Sequence, residues 1–177
     1  MSEHLDELLA RREAESAQVI EVDEAQVKLV IFRLGEECFA LRGAQVREIL
    51  PAGEIFYVPG CPDSLVGVIN LRGDVESVVQ LDRLLQRSGA RDNGVRDSAR
   101  PGFILLLQAS AMRTGLLVDE VEDVIDVVES ALQPPLATLP SPLDQWVDAS
   151  LVWRDQGIPC LDGERLLRDY RARLGQA

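Results

Sequence analysis

The sequence predicts an all-β protein built as two barrel-like halves. Three observations carry this. Runs of β-branched and aliphatic residues recur between glycine-bearing turns from Val27 to Leu161, the pattern of short strands joined by hairpins. VINLRGDVESVVQLDRLL at 68–85 is echoed by SLVWRDQGIPCLDGERLL at 150–167: strand, arginine-bearing turn, second strand, Leu-Leu helix. A repeat separated by roughly 80 residues implies two similar halves and not a solenoid, with a chance likeness of two hairpins as the alternative. Finally, 177 residues, 46% of them hydrophobic and 27% charged, suit one globular domain or two small halves sharing a core.

The elements follow in order. Residues 3–16 read as a short helix with Leu5, Leu8 and Leu9 on one narrow stripe; a helix this short docks elsewhere or frays. VKLVIFRLG and EECFALR form a hairpin around Gly35-Glu36-Glu37. GAQVREIL at 43–50 is a turn and helix or a bent strand, stopped by Pro51. IFYVPGCPDSLVGVINLRG, with two prolines and three glycines, suits short strands and tight turns, and VESVVQL is the next strand before LDRLL makes a turn of helix. QRSGARDNGVRDSAR at 86–100 is a surface loop or hinge.

FILLLQA is a fully apolar strand and AMRTGLLVDEVEDVIDVV returns beside it. The spacing of Val118, Val121, Val124, Ile125 and Val128 also fits a helix, but β-branched residues dominate and the reading is strand. ALQPPLATLPSPL is irregular extended chain, and LVWRDQGIPCL is a last hairpin turning near Asp155-Gln156-Gly157. Asp162 caps a C-terminal helix whose Leu167, Tyr170 and Leu174 share one face and which Gly175 ends.

Composition excludes most site chemistry. The one histidine, His4, lies at the extreme N-terminus, which leaves no Ser-His-Asp triad within a fold and no multi-histidine metal site. Cys38, Cys61 and Cys160 are odd in number and form no CxxC pair; they read as core filling in a reducing cytoplasm. No phosphate loop, dinucleotide loop or nucleophile elbow is present. The carboxylates at 119–126 lack a pocket signature or a basic partner. No enzyme activity, cofactor or metal is therefore expected. No signal peptide or bilayer-spanning run is read, so the expectation is a soluble cytoplasmic protein without membrane insertion.

Net charge is −12, which repels nucleic acid and anionic lipid. It is concentrated. Residues 1–26 hold eight acids against Arg11 and Arg12, and residues 119–129 hold six acids and no base. Such a run is a solvated face or a docking surface for a basic partner.

The run LVIFRLGEECFALRGAQVREIL, then VPGCPDSLVGVINLRG, then VVQLDRLL, resembles the CheW-like family of chemosensory adaptors and the related regulatory domain of CheA histidine kinases. GVINLRG at 67–73 is its most specific piece; LLVDEVEDVIDV matches more loosely. The resemblance covers roughly 27–170, with a first half at about 27–87, the loop 86–100 and a second half at about 101–170. Residues 1–26 stand outside it as an acidic helical extension, and 171–177 are the end of the last helix and a tail.

It implies two five-stranded SH3-like barrels packed together, and a non-catalytic scaffold coupling the cytoplasmic tips of methyl-accepting chemoreceptors to a CheA-type kinase regulatory domain. A non-flagellar pathway, in pilus motility or development, is the alternative, as is a small all-β ligand-binding module. The family's functional positions fall on Val46, Glu48, Gly67 and Arg72, with Asn70 in the same motif; they carry over as protein-binding residues. From these residues alone, Val46 reads equally as core, and Gly67 and Gly73 as turn glycines. The resemblance brings Glu48 and Arg72 close enough to form an ion pair. Ser77 stands where the family usually has proline, and Gln80 where it has aspartate.

Overall fold

The computed structural model describes residues 24–87, 102–109 and 111–175. The helix read at 3–16 and most of the loop at 86–100 lie outside the described residues. Among the described residues, ten strands and two α-helices follow one another: β1 (Gln26–Leu34), β2 (Glu37–Arg42), β3 (Val46–Pro51), β4 (Leu65–Leu71), β5 (Asp74–Gln80), α1 (Leu81–Leu84), β6 (Phe103–Ala109), β7 (Met112–Val118), β8 (Glu120–Val128), β9 (Val147–Trp153), β10 (Gln156–Leu161) and α2 (Gly163–Leu174). The run at 111–128 is strand as read, but it splits: Met112–Val118 returns beside β6 as β7, whereas β8 pairs with β1 and not with β6. GAQVREIL divides into a 3-10 turn at Gly43–Gln45 followed by β3.

The strands make two five-stranded sheets. Sheet A runs β8-β1-β2-β10-β9 and sheet B runs β3-β6-β7-β5-β4. The sequence echo is real: each half supplies a hairpin, a third strand, a second hairpin and a helix, in that order. The registers agree position by position. Arg33 opposes Cys38 as Gln108 opposes Arg113, and Ile69 opposes Glu76 as Leu151 opposes Ile158.

One expectation is corrected here. The halves at about 27–87 and 101–170 do not each close one barrel. The first hairpin of each half joins the last three strands of the other half: β1-β2 with β8, β9 and β10, and β6-β7 with β3, β4 and β5. The joints are the antiparallel pairs β1–β8 and β3–β6 and the parallel pairs β2–β10 and β5–β7, and parallel neighbours require a long connection. Alternation in a sequence reveals which face a residue takes, but not which strand lies beside it; the exchange of strands left no local trace.

Packing explains the apolar runs. Phe32, Phe39, Leu105, Leu107, Leu116, Trp146, Leu166, Leu167 and Tyr170 form the cluster shared between the sheets. Leu29, Ile31, Ala40, Leu151, Ile158 and Cys160 fill sheet A's own interior, and Ile69, Val78, Ile104 and Leu117 fill that of sheet B. β1 and β6 are thus buried on both faces, which is why LVIF and ILLL do not alternate.

Local details mostly follow the sequence. Asp162 Oδ1 accepts the amides of Glu164 at 2.9 Å and Arg165 at 3.4 Å, capping α2. The last hairpin turns at Arg154-Asp155, one residue earlier than read, with φ of 47° and 62°. Gly175 ends α2 with φ −79°, so it uses none of glycine's left-handed freedom, and Leu174 is exposed. Cys160 is buried in the core, its thiol pushed up to about 11 by that burial. Cys38 is half-buried. Cys61 departs from the reading of core filling: it is exposed between two prolines in the irregular segment before β4.

The acidic run is not without bases. Arg33 on β1 pairs with Glu120 and, at 2.9 Å, with Glu122. Lys28 Nζ lies 2.9 Å from Asp126 Oδ1. β1 supplies these two cations and the β9–β10 turn a third, Arg154, 3.9 Å from Glu122; strand order alone determines the β1 partners, and β8 is a face laced with ion pairs.

Candidate functional site

The site grows from the β4–β5 hairpin. Leu71 opposes Asp74, so Arg72 and Gly73 form a two-residue turn with φ of 54° and 93°. Two positive angles define the primed turn that matches strand twist. Asn70 Oδ1 accepts the Gly73 amide at 2.9 Å and pins the turn. Arg72 is therefore held in a conformation non-glycine residues seldom adopt.

The opposite wall is β3. Val46 opposes Leu107 and Glu48 opposes Leu106, so Arg47 is a bulge; bulges re-aim neighbouring side chains. Arg72 donates Nη1 to Glu48 Oε2 at 3.0 Å and Nη2 to Glu48 Oε1 at 2.6 Å. This is the bidentate geometry only arginine offers. The hydrogen bonds to Glu48 raise the Arg72 pKa further above its ordinary value. β3 and β4 are the two edge strands of sheet B, so the expected pair exists and ties one edge of the sheet to the other.

Behind it opens a cleft of about 460 Å³, lined among others by Val46, Glu48, Arg72, Asp74, Glu76 and Arg113. Arg113 Nη2 pairs with Glu76 and lies 3.4 Å from Asp74 Oδ2. Deeper along the same face sit Ile69, Val78, Ile104 and Leu117. The interior of sheet B is thus apolar at one end and charged at its mouth.

The structure brings Val46, Glu48 and Arg72 together at this mouth. Asn70 acts on the turn from outside the cleft. Gly67 does something else. The irregular chain at 52–64 crosses β4, where Phe56 N donates to Val68 O at 2.8 Å and Val68 N to Phe56 O at 2.9 Å. A Cβ on Gly67 would stand 2.2 Å from Phe56 O and 2.8 Å from Phe56 C. Glycine is required there for the close approach.

Sequence reasoning missed Asp74, Glu76 and Arg113. Glu76 shares the face of Val78 by the strand period of two, so an acid at a core-facing position was a readable signal. Arg113 gave none. The departure at Ser77 is matched by a hydroxyl: Ser77 Oγ lies 3.3 Å from Thr114 Oγ1, and Thr114 is buried. Among the described residues no cluster of three or more His, Cys, Asp or Glu could hold a metal ion, and no helix is long and apolar enough to cross a membrane.

Comparison with known proteins agrees with this fold. The family model for the CheW-like domain matches residues 28–171. The chain is 29% identical over 146 residues to a probable chemotaxis protein CheW of Rhizobium etli, covering 82% of this chain and 90% of that one. It is 31% identical over 106 residues to the chemotaxis protein CheW of Bacillus subtilis, covering 60% and 64%. The crystal structure of the scaffolding protein TtCheW from Thermoanaerobacter tengcongensis superposes with a TM-score of 0.67 at 25% identity, over 80% of this chain and 92% of that one. With its two interlocked five-stranded sheets and this match along most of its length, the chain belongs to the CheW-like domain family, whose members serve chemotaxis as non-catalytic adaptors.

Proposed function

We propose that this adaptor couples methyl-accepting chemoreceptors to a CheA-type histidine kinase at the cytoplasmic face of receptor arrays, and that the mouth of sheet B is one of its docking surfaces. The observation that carries this is the two-pronged Glu48–Arg72 pair across the sheet's edges. Arg72 is 73% exposed in its side chain, and solvent-exposed ion pairs contribute little to stability. A turn with two positive φ angles, an Asn70 clamp and a bulge all converge on a pair whose own contribution to stability is small. Their combined effect is to fix the shape and charge of the rim beside Val46. Contacts between barrel ends of this size bury at most about 1,200 Å² in total and bind in the micromolar range.

Changing Arg72 to Ala tests this. Binding to the regulatory domain of the CheA-type kinase, or to a receptor signalling-tip fragment, from the same organism is expected to fall below detection. The melting temperature should drop by less than roughly 5 °C. Unchanged binding to both partners would remove Arg72 from the docking surface; an unfolded variant would make the residue structural.

A further inference from the structure

The repeat supplies an internal control for the cleft. By register, Glu76 on β5 corresponds to Ile158 on β10, since they oppose Ile69 and Leu151 respectively. Arg113 on β7 corresponds to Cys38 on β2, opposing Gln108 and Arg33. Leu71 and Trp153 are likewise equivalent, each closing its hairpin. In sheet A this end is filled: Ile158 is buried, and Cys38 and Trp153 pack against the apolar cluster to which it belongs. In sheet B the same positions hold an ion pair beside an open cleft. The fold therefore accepts apolar side chains at this end. Sheet B carries a buried acid there instead, with Glu76 only 4% exposed.

A buried ion pair is a poor way to stabilise a fold. Here only the acid is buried: Glu76 loses its water while Arg113 keeps part of its own, so their partly screened attraction returns little beyond that cost, and apolar replacements of similar volume are often neutral or stabilising. We infer that the Glu76–Arg113 pair, with Asp74 beside it, is the specificity determinant of the docking cleft. This rests on the docking role proposed above and names the chemistry that the cleft accepts.

Arg113 is shared between a buried acid, Glu76, and an exposed one, Asp74, and its own side chain remains 40% exposed. A guanidinium has five N–H donors, so Arg113 keeps donors for a partner. A partner that closed the cleft with apolar surface would strip water from Arg113, Asp74 and Arg72 and return no hydrogen bonds, which is how an interface rejects a wrong partner. The fitting partner brings an acidic group to Arg113 and a basic group to Asp74, side by side. Val46, Leu71 and Leu106, which also line the cleft, supply the apolar frame around that charged contact.

The test uses the full chain and two probes from the same organism: the regulatory domain of its CheA-type kinase and a receptor signalling-tip fragment. Calorimetric titration compares the native protein, Arg72→Ala, and the double variant Glu76→Val with Arg113→Val. The double variant is expected to melt within about 3 °C of the native protein or above it, and to lose roughly tenfold or more in affinity for at least one probe. If both probes bind the double variant within about twofold of native while Arg72→Ala fails to bind, the cleft docks partners but the pair does not select them, and the inference falls. If Arg72→Ala also binds normally, the docking role itself falls. Should the double variant not fold, Asp74→Lys at its exposed position replaces it: a loss of about tenfold supports the inference, and binding within about twofold overturns it.

Discussion

Produced separately, residues 24–87 and residues 102–175 will each fail to fold, and mixing them will restore one folded complex. The exchange of strands requires it. The first piece holds two strands of sheet A and three of sheet B, and the second holds the complements. Alone, each would leave a two-stranded ribbon and a three-stranded fragment with no sheet to join, and isolated hairpins are marginal in water. The shared cluster is divided too: Phe32, Phe39 and Leu84 lie on one side of the cut, and Leu105, Trp146 and Tyr170 on the other. Far-ultraviolet circular dichroism and a thermal melt of each piece and of the mixture decide the matter. Cooperative melting of either piece by itself would show that the halves are independent barrels, as their order in the sequence had implied.

Gly67→Ala is expected to cost about 3 kcal/mol of stability, because the added methyl overlaps backbone and neither chain can give way cheaply. Its neighbour would be the Phe56 carbonyl at 2.2 Å, not a flexible side chain. To relieve the overlap the 52–64 segment must lift off β4 and lose the Phe56–Val68 bridge. Gly73 makes the contrast. A Cβ there meets nothing within 4 Å, so Gly73→Ala carries only the conformational penalty of its φ of 93°, about 1–2 kcal/mol. Urea unfolding of the two variants measures both. If Gly67→Ala unfolds like the native protein yet no longer binds partners, Gly67 is a contact residue and the steric account is wrong.

How far the sequence could be read depended on the range of the interaction. Hairpin turns, the Asp162 cap and the existence of strand β5 are local, and they were legible. The doubly buried strands β1 and β6 announced themselves by unbroken apolar runs. The Glu48–Arg72 pair was legible only through the family resemblance, since 24 positions separate the two residues and no periodicity links them. What could not be read depended on strand order. The exchange between halves, the bases that β1 lends to the acidic strand and the meeting of Arg113 with Glu76 are all products of which strands become neighbours. Cys61 failed for another reason: apolar neighbours in sequence do not bury a residue when prolines turn the chain outward.

Docking of partners at the mouth of sheet B is open to a direct test. Backbone chemical-shift mapping tests it most directly, with isotope-labelled protein titrated first with the kinase regulatory domain and then with the receptor signalling-tip fragment. For at least one of them, the largest perturbations are expected on Val46, Glu48, Leu71, Arg72 and Arg113. Perturbations that for both partners avoid this group and fall at the equivalent end of sheet A, around Trp153 and Arg154, would contradict it.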